Sequence, residues 1–258
     1  MSDAAPRSGP PAAPDAGFPR IAPVGLSGLL VSFGDRLDEG ANRAALAFRA
    51  ELDAQGWDGV EETATSLVSA FVRFDPLALS PDALHGRLAD LLATRDWTAA
   101  PLPGGRRHLS IPCAYGGAEG PQLDEAAEAA GLSPDRAIEE LSQARVRVMT
   151  IGFAPGQPYL GQLAPHWDIP RLTGLTPRVP RGALVAAVRQ LIVFANNTPT
   201  GWRQVGLTAF RCFRPDDADP FALAPGDEIS FPAVPAADIA RLREGADPAG
   251  GTTVTVLE

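Results

Sequence analysis

The sequence predicts an α+β chain built from a ferredoxin-like unit followed by a β-barrel or β-sandwich. Two observations carry this. Residues 21–112 read as strand, helix, strand, strand, helix, strand, which is the split βαβ pattern. Beyond Arg145 the helical period disappears, and short apolar runs alternate with Pro and Gly turns. Between the two parts, residues 113–145 read as a connector with two short helices.

Taken in order, residues 1–20 are rich in Ala and Pro and lack an apolar core, so they are expected to form a disordered tail and not a signal peptide. Leu26–Phe33 reads as a strand closed by Gly34-Asp35. Asp38–Ala54 has Ala41, Ala45, Phe48 and Leu52 at helical spacing and is stopped by Gly56 and Gly59. Val60–Ala64 and Leu67–Phe74 follow as extended pieces. Ser80-Pro81-Asp82 is a helix start, with Ser as N-cap and Pro in the first turn. Leu84, Leu88 and Leu91 then supply the buried face to about Thr94. Arg107–Ile111 is the expected fourth strand. In the connector, Leu123–Ala130 and the segment from Ser133-Pro134-Asp135 to Leu141 are helical. Over residues 146–258, strands are expected at Ala183–Val188, Leu191–Ala195, Trp202–Val205, Ala209–Phe213, Glu228–Phe231 and Thr252–Leu257, the fifth entered through the turn Pro225-Gly226-Asp227.

The chain has 258 residues, a formal charge of −9 and an apolar content of 45%. The negative balance argues against a nucleic-acid partner, since phosphate contact relies on basic patches. No apolar run approaches the length of a membrane span, and cytoplasmic residence is expected. Cys113 and Cys212 lie far apart with no metal-ligand spacing, which suggests a reducing compartment and neither disulfide nor metal site. All 22 basic residues are Arg. That excludes Schiff-base chemistry on a Lys amine and the ammonium of a phosphate-binding loop. The spacing from Gly156 to Gly161 imitates such a loop, but Gln162-Leu163 stands where Lys-Ser/Thr is required.

Met149–Leu163 (MTIGFAPGQPYLGQL) is the stretch around which the rest is arranged. Its glycines permit conformations and close approaches barred to other residues, while its prolines fix φ. The result is a shaped loop, either a binding wall or a well-specified turn between strands. Arg171, Arg178, Arg181, Arg189 and Arg203 are grouped in the second half. Each could bind an anion bidentately or be a solvated charge flanking a strand. Arg178, inside Pro177-Arg178-Val179-Pro180, has the most constrained backbone. His85 and His108 fall in a helix and a strand and read as structural or surface groups. His166 is either an acid/base group or a surface residue. No Ser/His/Asp arrangement is legible, and no catalytic residue is assigned.

Gly152-Phe153-Ala154-Pro155-Gly156 and Pro158-Tyr159-Leu160-Gly161 resemble the GFxPGFPYLGGL signature of the allophanate hydrolase subunit 1 family. That family includes the B-type subunit of 5-oxoprolinase and the kinase inhibitor KipI, and corresponds to subdomains C and D of a carboxyltransferase domain. Co-linear support comes from Ile111-Pro112 with Tyr115-Gly116-Gly117, Gly131-Leu132-Ser133, Pro170-Arg171, Pro177-Arg178, Gln190, Pro199 with Gly201-Trp202, and Pro225-Gly226-Asp227. The resemblance covers about residues 21–235.

It implies a cyclophilin-like β-barrel for the second part, and a partner, a subunit 2 homologue whose related barrel pairs with this one. It further implies a possible third subunit of the 5-oxoprolinase type. The activity implied is a hydrolase complex that consumes ATP and opens an amide or lactam, as in 5-oxoproline to glutamate. Biotin is not implied for this subunit alone. Arg171 and Arg178 would hold a carboxylate or phosphate. Gln190 and Asn197 would donate to a carbonyl. Pro155, Gly156, Gln157 and Tyr159 would shape the pocket wall, with Trp202 beside them. A non-catalytic regulator of the KipI type is the alternative, and a prolyl isomerase would rest on barrel shape alone. The sequence departs from the family pattern at Gln157 (Phe in the pattern), Leu141 (His), Leu191-Ile192 (Thr-Gly), Phe194-Ala195 (Tyr-Pro), Thr198 and Thr200 in the SPGGW loop, and Leu207 (Arg).

Overall fold

The computed structural model describes residues 17–257. Most of the expected N-terminal tail therefore lies outside the described residues, and Arg20 already belongs to a strand. The first unit comprises β1 (Arg20–Pro23), β2 (Gly28–Ser32), α1 (Glu39–Gln55), β3 (Val60–Ser66), β4 (Ser69–Phe74) and α2 (Pro81–Leu92). The helix ends follow local chemistry. Asp38 Oδ1 accepts the Ala41 N–H at 3.1 Å, Ser80 Oγ accepts the Ala83 N–H at 3.2 Å, and Gly56 closes α1 with φ 57°. Both helices pack on one face of an antiparallel sheet of order β1-β2-β4-β3. Leu29, Val31, Val72 and Phe74 meet Phe48, Leu52, Leu84 and Leu88 in its core.

This strand order corrects the ferredoxin-like reading in one respect. The expected fourth strand, β5 (Arg107–Ser110), does not join this sheet, and β1 holds the edge beside β2 as a hairpin. β5 is drawn away by partners that local sequence cannot reveal. It lies parallel to β14 (Glu228–Ser230) and antiparallel to β15 (Thr253–Val256). The buried Asp227 carboxylate fixes it there, accepting the Arg107 backbone N–H at 3.0 Å and Arg107 Nη2 at 2.5 Å.

The second unit adds β6 (Cys113–Tyr115), α3 (Leu123–Ala129), α4 (Pro134–Gln143), β7 (Val146–Ile151), β8 (Pro158–Gly161), β9 (Thr176–Val179), β10 (Ala183–Ala187), β11 (Gln190–Val193), β12 (Thr198–Thr200), β13 (Arg203–Thr208) and α5 (Ala236–Glu244). Nine strands form one sheet, β15-β5-β14-β7-β8-β11-β10-β13-β6. Its end strands, β15 and β6, do not pair with one another, so the sheet is a curled half-barrel and not the closed barrel expected. One face carries the main core, where Ala126, Ala127, Ala137 and Leu141 of the two connector helices meet Val146, Val148, Leu160, Leu191 and Phe231. On the other face Val185, Ala187, Ile192 and Phe194 gather with Trp202. The ribbon β9–β12 stands apart as a two-stranded sheet.

Three further expectations change. The connector contributes β6 to the sheet. Ala209–Phe213 forms no strand beyond a single bridge from Phe213 to Phe221. α5 escaped notice because Ile239 is its one buried residue, leaving no periodic apolar face to read.

Candidate functional site

A cavity of about 310 Å³ opens on the Ile192–Phe194 face of the half-barrel. Strand alternation builds its floor: Tyr159 on β8 and Ile192 on β11 are register partners and share a face. Its far wall is Trp202 with Pro199, Thr200 and Gly201, and its rim is Arg171, Leu172, Leu175 and Phe153. Trp202 is anchored through its backbone N–H, donated to Thr200 Oγ1 at 3.1 Å. The Leu172 N–H donates to Gly201 O at 2.7 Å and ties the rim loop to the same wall. Tyr159 and Trp202 meet edge-to-face with ring centroids 6.4 Å apart, and the Arg171 guanidinium lies 5.3 Å from the Trp202 centroid.

The loop from Phe153 to Gln157 closes the remaining side. Gly156, at φ 72°, is pressed so closely against the chain at Cys212 that an added Cβ would lie 2.6 Å from Cys212 O. This contact turns Gln157 inward. Gln157 is 1% exposed and lines the cavity, yet its Oε1 has no protein partner among the described residues. Such a buried acceptor is normally satisfied by protein, ordered water or a ligand, and here it is open to a donor from inside the cavity. Phe153 has φ 70° and is 78% exposed at the mouth. A strained backbone and an exposed aromatic ring at one residue are features that recur at ligand clamps.

Of the candidates from sequence, Gln157, Tyr159, Arg171 and Trp202 come together around this cavity. Pro155 and Gly156 shape the loop behind Gln157. Arg178 does not join them: it is exposed on β9, on the free-standing ribbon. Asn197 is used elsewhere, its Oδ1 accepting the Arg181 backbone N–H at 2.8 Å in a turn. Gln190 is buried on β11 two residues before Ile192 and does not line this cavity. Phe153, Leu172 and Leu175 are not among the site residues expected from sequence, and Thr200 enters there only as a departure from the family pattern. Phe153 carried a signal, being the aromatic residue of the Gly152-Phe153 pair.

Among the described residues, no His, Cys, Asp or Glu lines the cavity. His166 is an exposed partner of Glu140 Oε2 at 2.6 Å, and His108 faces Ser230 Oγ at 3.1 Å. Cys113 and Cys212 are fully buried; burial pushes the Cys212 thiol up to about 12 and raises Cys113 as well, so neither is a thiolate nucleophile near neutral pH. Among the described residues no three His, Cys, Asp or Glu side chains are grouped to hold a metal, and no helix is long and apolar enough to cross a membrane. A larger hollow of about 460 Å³ lies on the first unit, but Glu61 and Glu62 at its edge are already paired with Arg73. The Tyr159–Trp202 cavity thus offers a flat apolar wall, one guanidinium and one unmet acceptor. It is equipped to hold a small planar polar molecule.

Comparison with known proteins agrees with the architecture. Residues 19–223 match the family model described as carboxyltransferase domain, subdomain C and D. The 5-oxoprolinase B subunit of Bacillus subtilis (strain 168) is 30% identical over 226 residues, covering 82% of this chain and 91% of the relative. The protein of the same name from Escherichia coli O157:H7 is 38% identical over 125 residues, covering 48% of this chain and 57% of the relative. Among solved structures, TTHA0988 superposes with a TM-score of 0.68 at 30% identity, over 81% of this chain and 40% of that one. The Kluyveromyces lactis urea amidolyase gives 0.69 at 16% identity, over 92% of this chain and 16% of that one, a likeness of fold alone. The chain therefore spans less than half of either solved protein. It belongs to the carboxyltransferase subdomain C and D family.

Proposed function

We propose that this chain is the ligand-holding subunit of an amide- or lactam-hydrolysing complex of the 5-oxoprolinase kind, working with a subunit 2 homologue. The observation that carries the reading is the make-up of the Tyr159–Trp202 cavity. A lactam presents a flat ring, an N–H donor and, in 5-oxoproline, a carboxylate. The ring fits the aromatic wall, the N–H meets Gln157 Oε1, and the carboxylate meets Arg171. The names of the relatives, both B subunits of a 5-oxoprolinase, support the same substrate class.

Because no carboxylate, imidazole or thiol lines the cavity among the described residues, the bond-breaking groups are assigned to the partner, and ATP is assigned to the complex. Gln157, in place of the family Phe, gives this member a polar reader of the amide edge. Removing it selectively loses ligands that bring an N–H, because a buried acceptor left unmet discriminates strongly.

The test is reconstitution with the subunit 2 and subunit 3 homologues and measurement of ATP-dependent glutamate release from 5-oxoproline. Turnover is expected, with Arg171→Ala and Gln157→Phe each raising KM. A well-assembled complex without turnover overturns the reading and leaves the regulatory role that the family resemblance also implies.

A further inference from the structure

Among the described residues, the seam between α1 and the half-barrel holds more unpartnered buried side-chain donors than acceptors. Arg147 on β7, Gly161 on β8 and Gln190 on β11 are directly opposed in register. Their strand neighbours Val146, Val148, Leu160 and Leu191 all belong to the main core. Alternation therefore turns Arg147 and Gln190 to the opposite face, toward α1. Gly161 adds no side chain of its own between them, and the space above it is bounded by Met149 and Gln190, whose Cγ atoms lie 3.7 and 3.6 Å from where a Cβ on Gly161 would be. The two walls of the resulting slot are about 9.5 Å apart at the backbone, twice the strand spacing.

The first turns of α1 lie against the β7 side of this slot. Asn42 Nδ2 donates to Met149 O at 3.1 Å and to Leu67 O at 2.6 Å, and Gln162 Nε2 donates to Leu37 O at 3.3 Å. Glu39 Oε1 accepts Arg147 Nη2 at 2.5 Å and lies 3.9 Å from Arg43 Nη2. Two guanidinium groups thus share one carboxylate, whose side chain is 46% exposed.

The Arg147 side chain is only 12% exposed, and its Nε and Nη1 are buried without a protein partner among the described residues. Gln190 Nε2 and Arg43 Nε are in the same position. The unmet acceptors nearby are Asn42 Oδ1 and Thr65 Oγ1. Buried donors left unmade are costly, and more so on a charged group. Water would pair them but would bring donors of its own and leave the excess positive charge in place. An oxyanion brings acceptors only and balances the charge.

We propose that this seam is a binding site for a small oxyanion, a carboxylate or inorganic phosphate, held by Arg147 and Gln190 across Gly161. Gln190 and Ile192 are about 7 Å apart along β11, so the anion lies beside the inner end of the Tyr159–Trp202 cavity. The site stands on its own donors and does not depend on the substrate assigned to that cavity. By bridging β7 and β11 beneath α1, the anion fastens the first unit to the half-barrel.

The test is thermal unfolding and isothermal titration of the whole chain with sodium phosphate or sodium acetate, against sodium chloride at equal ionic strength and pH. A saturable rise in Tm with at least one of the two oxyanions is expected, and the one that gives it identifies the ligand class. Gln190→Glu places a carboxylate in the slot; it is expected to raise Tm in chloride and to weaken oxyanion binding at least tenfold. Arg147→Met is expected to weaken it by at least as much, and if that variant folds poorly the Glu variant decides alone. Equal Tm in all three salts, affinity in Gln190→Glu within twofold of the parent, or a crystal grown from phosphate with only water against Arg147 would each overturn the proposal.

Discussion

Replacing Gln157 by Met separates a side chain kept for packing from one kept for a ligand. The two residues are similar in length, and the position is 1% exposed, so Met occupies the space with little rearrangement. What changes is Oε1, a buried acceptor without a protein partner among the described residues. Leaving such a group unmet costs about 1–3 kcal/mol, and Met removes that cost. Allowing for imperfect packing of the thioether, the net gain is about 1–2 kcal/mol. For a chain of this size each kcal/mol moves Tm by about 2–4 °C, so Gln157→Met is expected to melt about 2–8 °C higher. The same change takes away the acceptor for an amide N–H, and affinity for 5-oxoproline in the assembled complex is expected to fall about tenfold, equivalent to about 1.4 kcal/mol. Differential scanning calorimetry of the isolated chain gives the first number, and titration of the complex gives the second. Opposite signs for stability and affinity are the signature of a ligand-facing residue. A lower Tm in the Met variant would show that Oε1 is already satisfied in the free protein, and the argument from the orphaned acceptor would collapse.

Gly156→Ala forces an L-residue to φ 72° and drives its Cβ to 2.6 Å from Cys212 O. A loss of about 3 kcal/mol is expected from the combined backbone strain and overpacking, read as an earlier midpoint in urea. Val188→Asn acts in the other direction. Val188 and Arg189 form the two-residue turn between β10 and β11 with φ 45° and 61°, a turn that favours Asn-Gly. Relieving a β-branched residue there is expected to gain about 1 kcal/mol, with an unchanged urea m-value. Stability is also expected to fall with acid in two stages. Burial, with Arg145 adding to it, lowers the pKa of His108 and favours the neutral ring. That contribution is complete above the unfolded value near 6.5 and is lost as pH drops toward the folded one. Burial alone would raise Glu228, but Arg106 at 2.9 Å and the partner Arg145 outweigh it and lower its pKa. Its contribution is present above the ordinary carboxylate range and lost as pH falls through the folded value. Tm against pH should show both declines, and His108→Gln should erase only the upper one.

The helix boundaries were legible because their signals are local. Asp38, Ser80 and Ser133 each cap the helix that their own sequence announces. Strand partnership was less accessible. Nothing within Arg107–Ser110 says that it will leave the first unit, since the decision is made by Asp227 and by strands more than a hundred residues away. The candidate site divides along the same line. Tyr159 lies within the Gly/Pro loop and Arg171 within the group of arginines, both read from the residues, and the family resemblance supplied Gln157 and Trp202. Arg178 and Asn197 looked equivalent in sequence, yet one faces outward from a ribbon and the other is spent on a turn. Arg147 gave no signal, because a lone Arg in an alternating strand is ordinarily a solvated residue.

The pairing of β5 with β14 and β15 also sets an order for synthesis. All strand pairs of the first unit close within residues 20–74, so that unit can form while the rest of the chain is still being made. The strands at 107–115 have no such freedom, because their neighbours lie at 203–208, 228–230 and 253–256. At ordinary elongation rates the gap is on the order of ten seconds, during which two strands with unpaired edges are exposed beside the first unit. A ribosome that stalls between Ser110 and Glu228 would therefore release a nascent chain that is half native and half adhesive. Chaperone demand for this protein is expected to concentrate in that window.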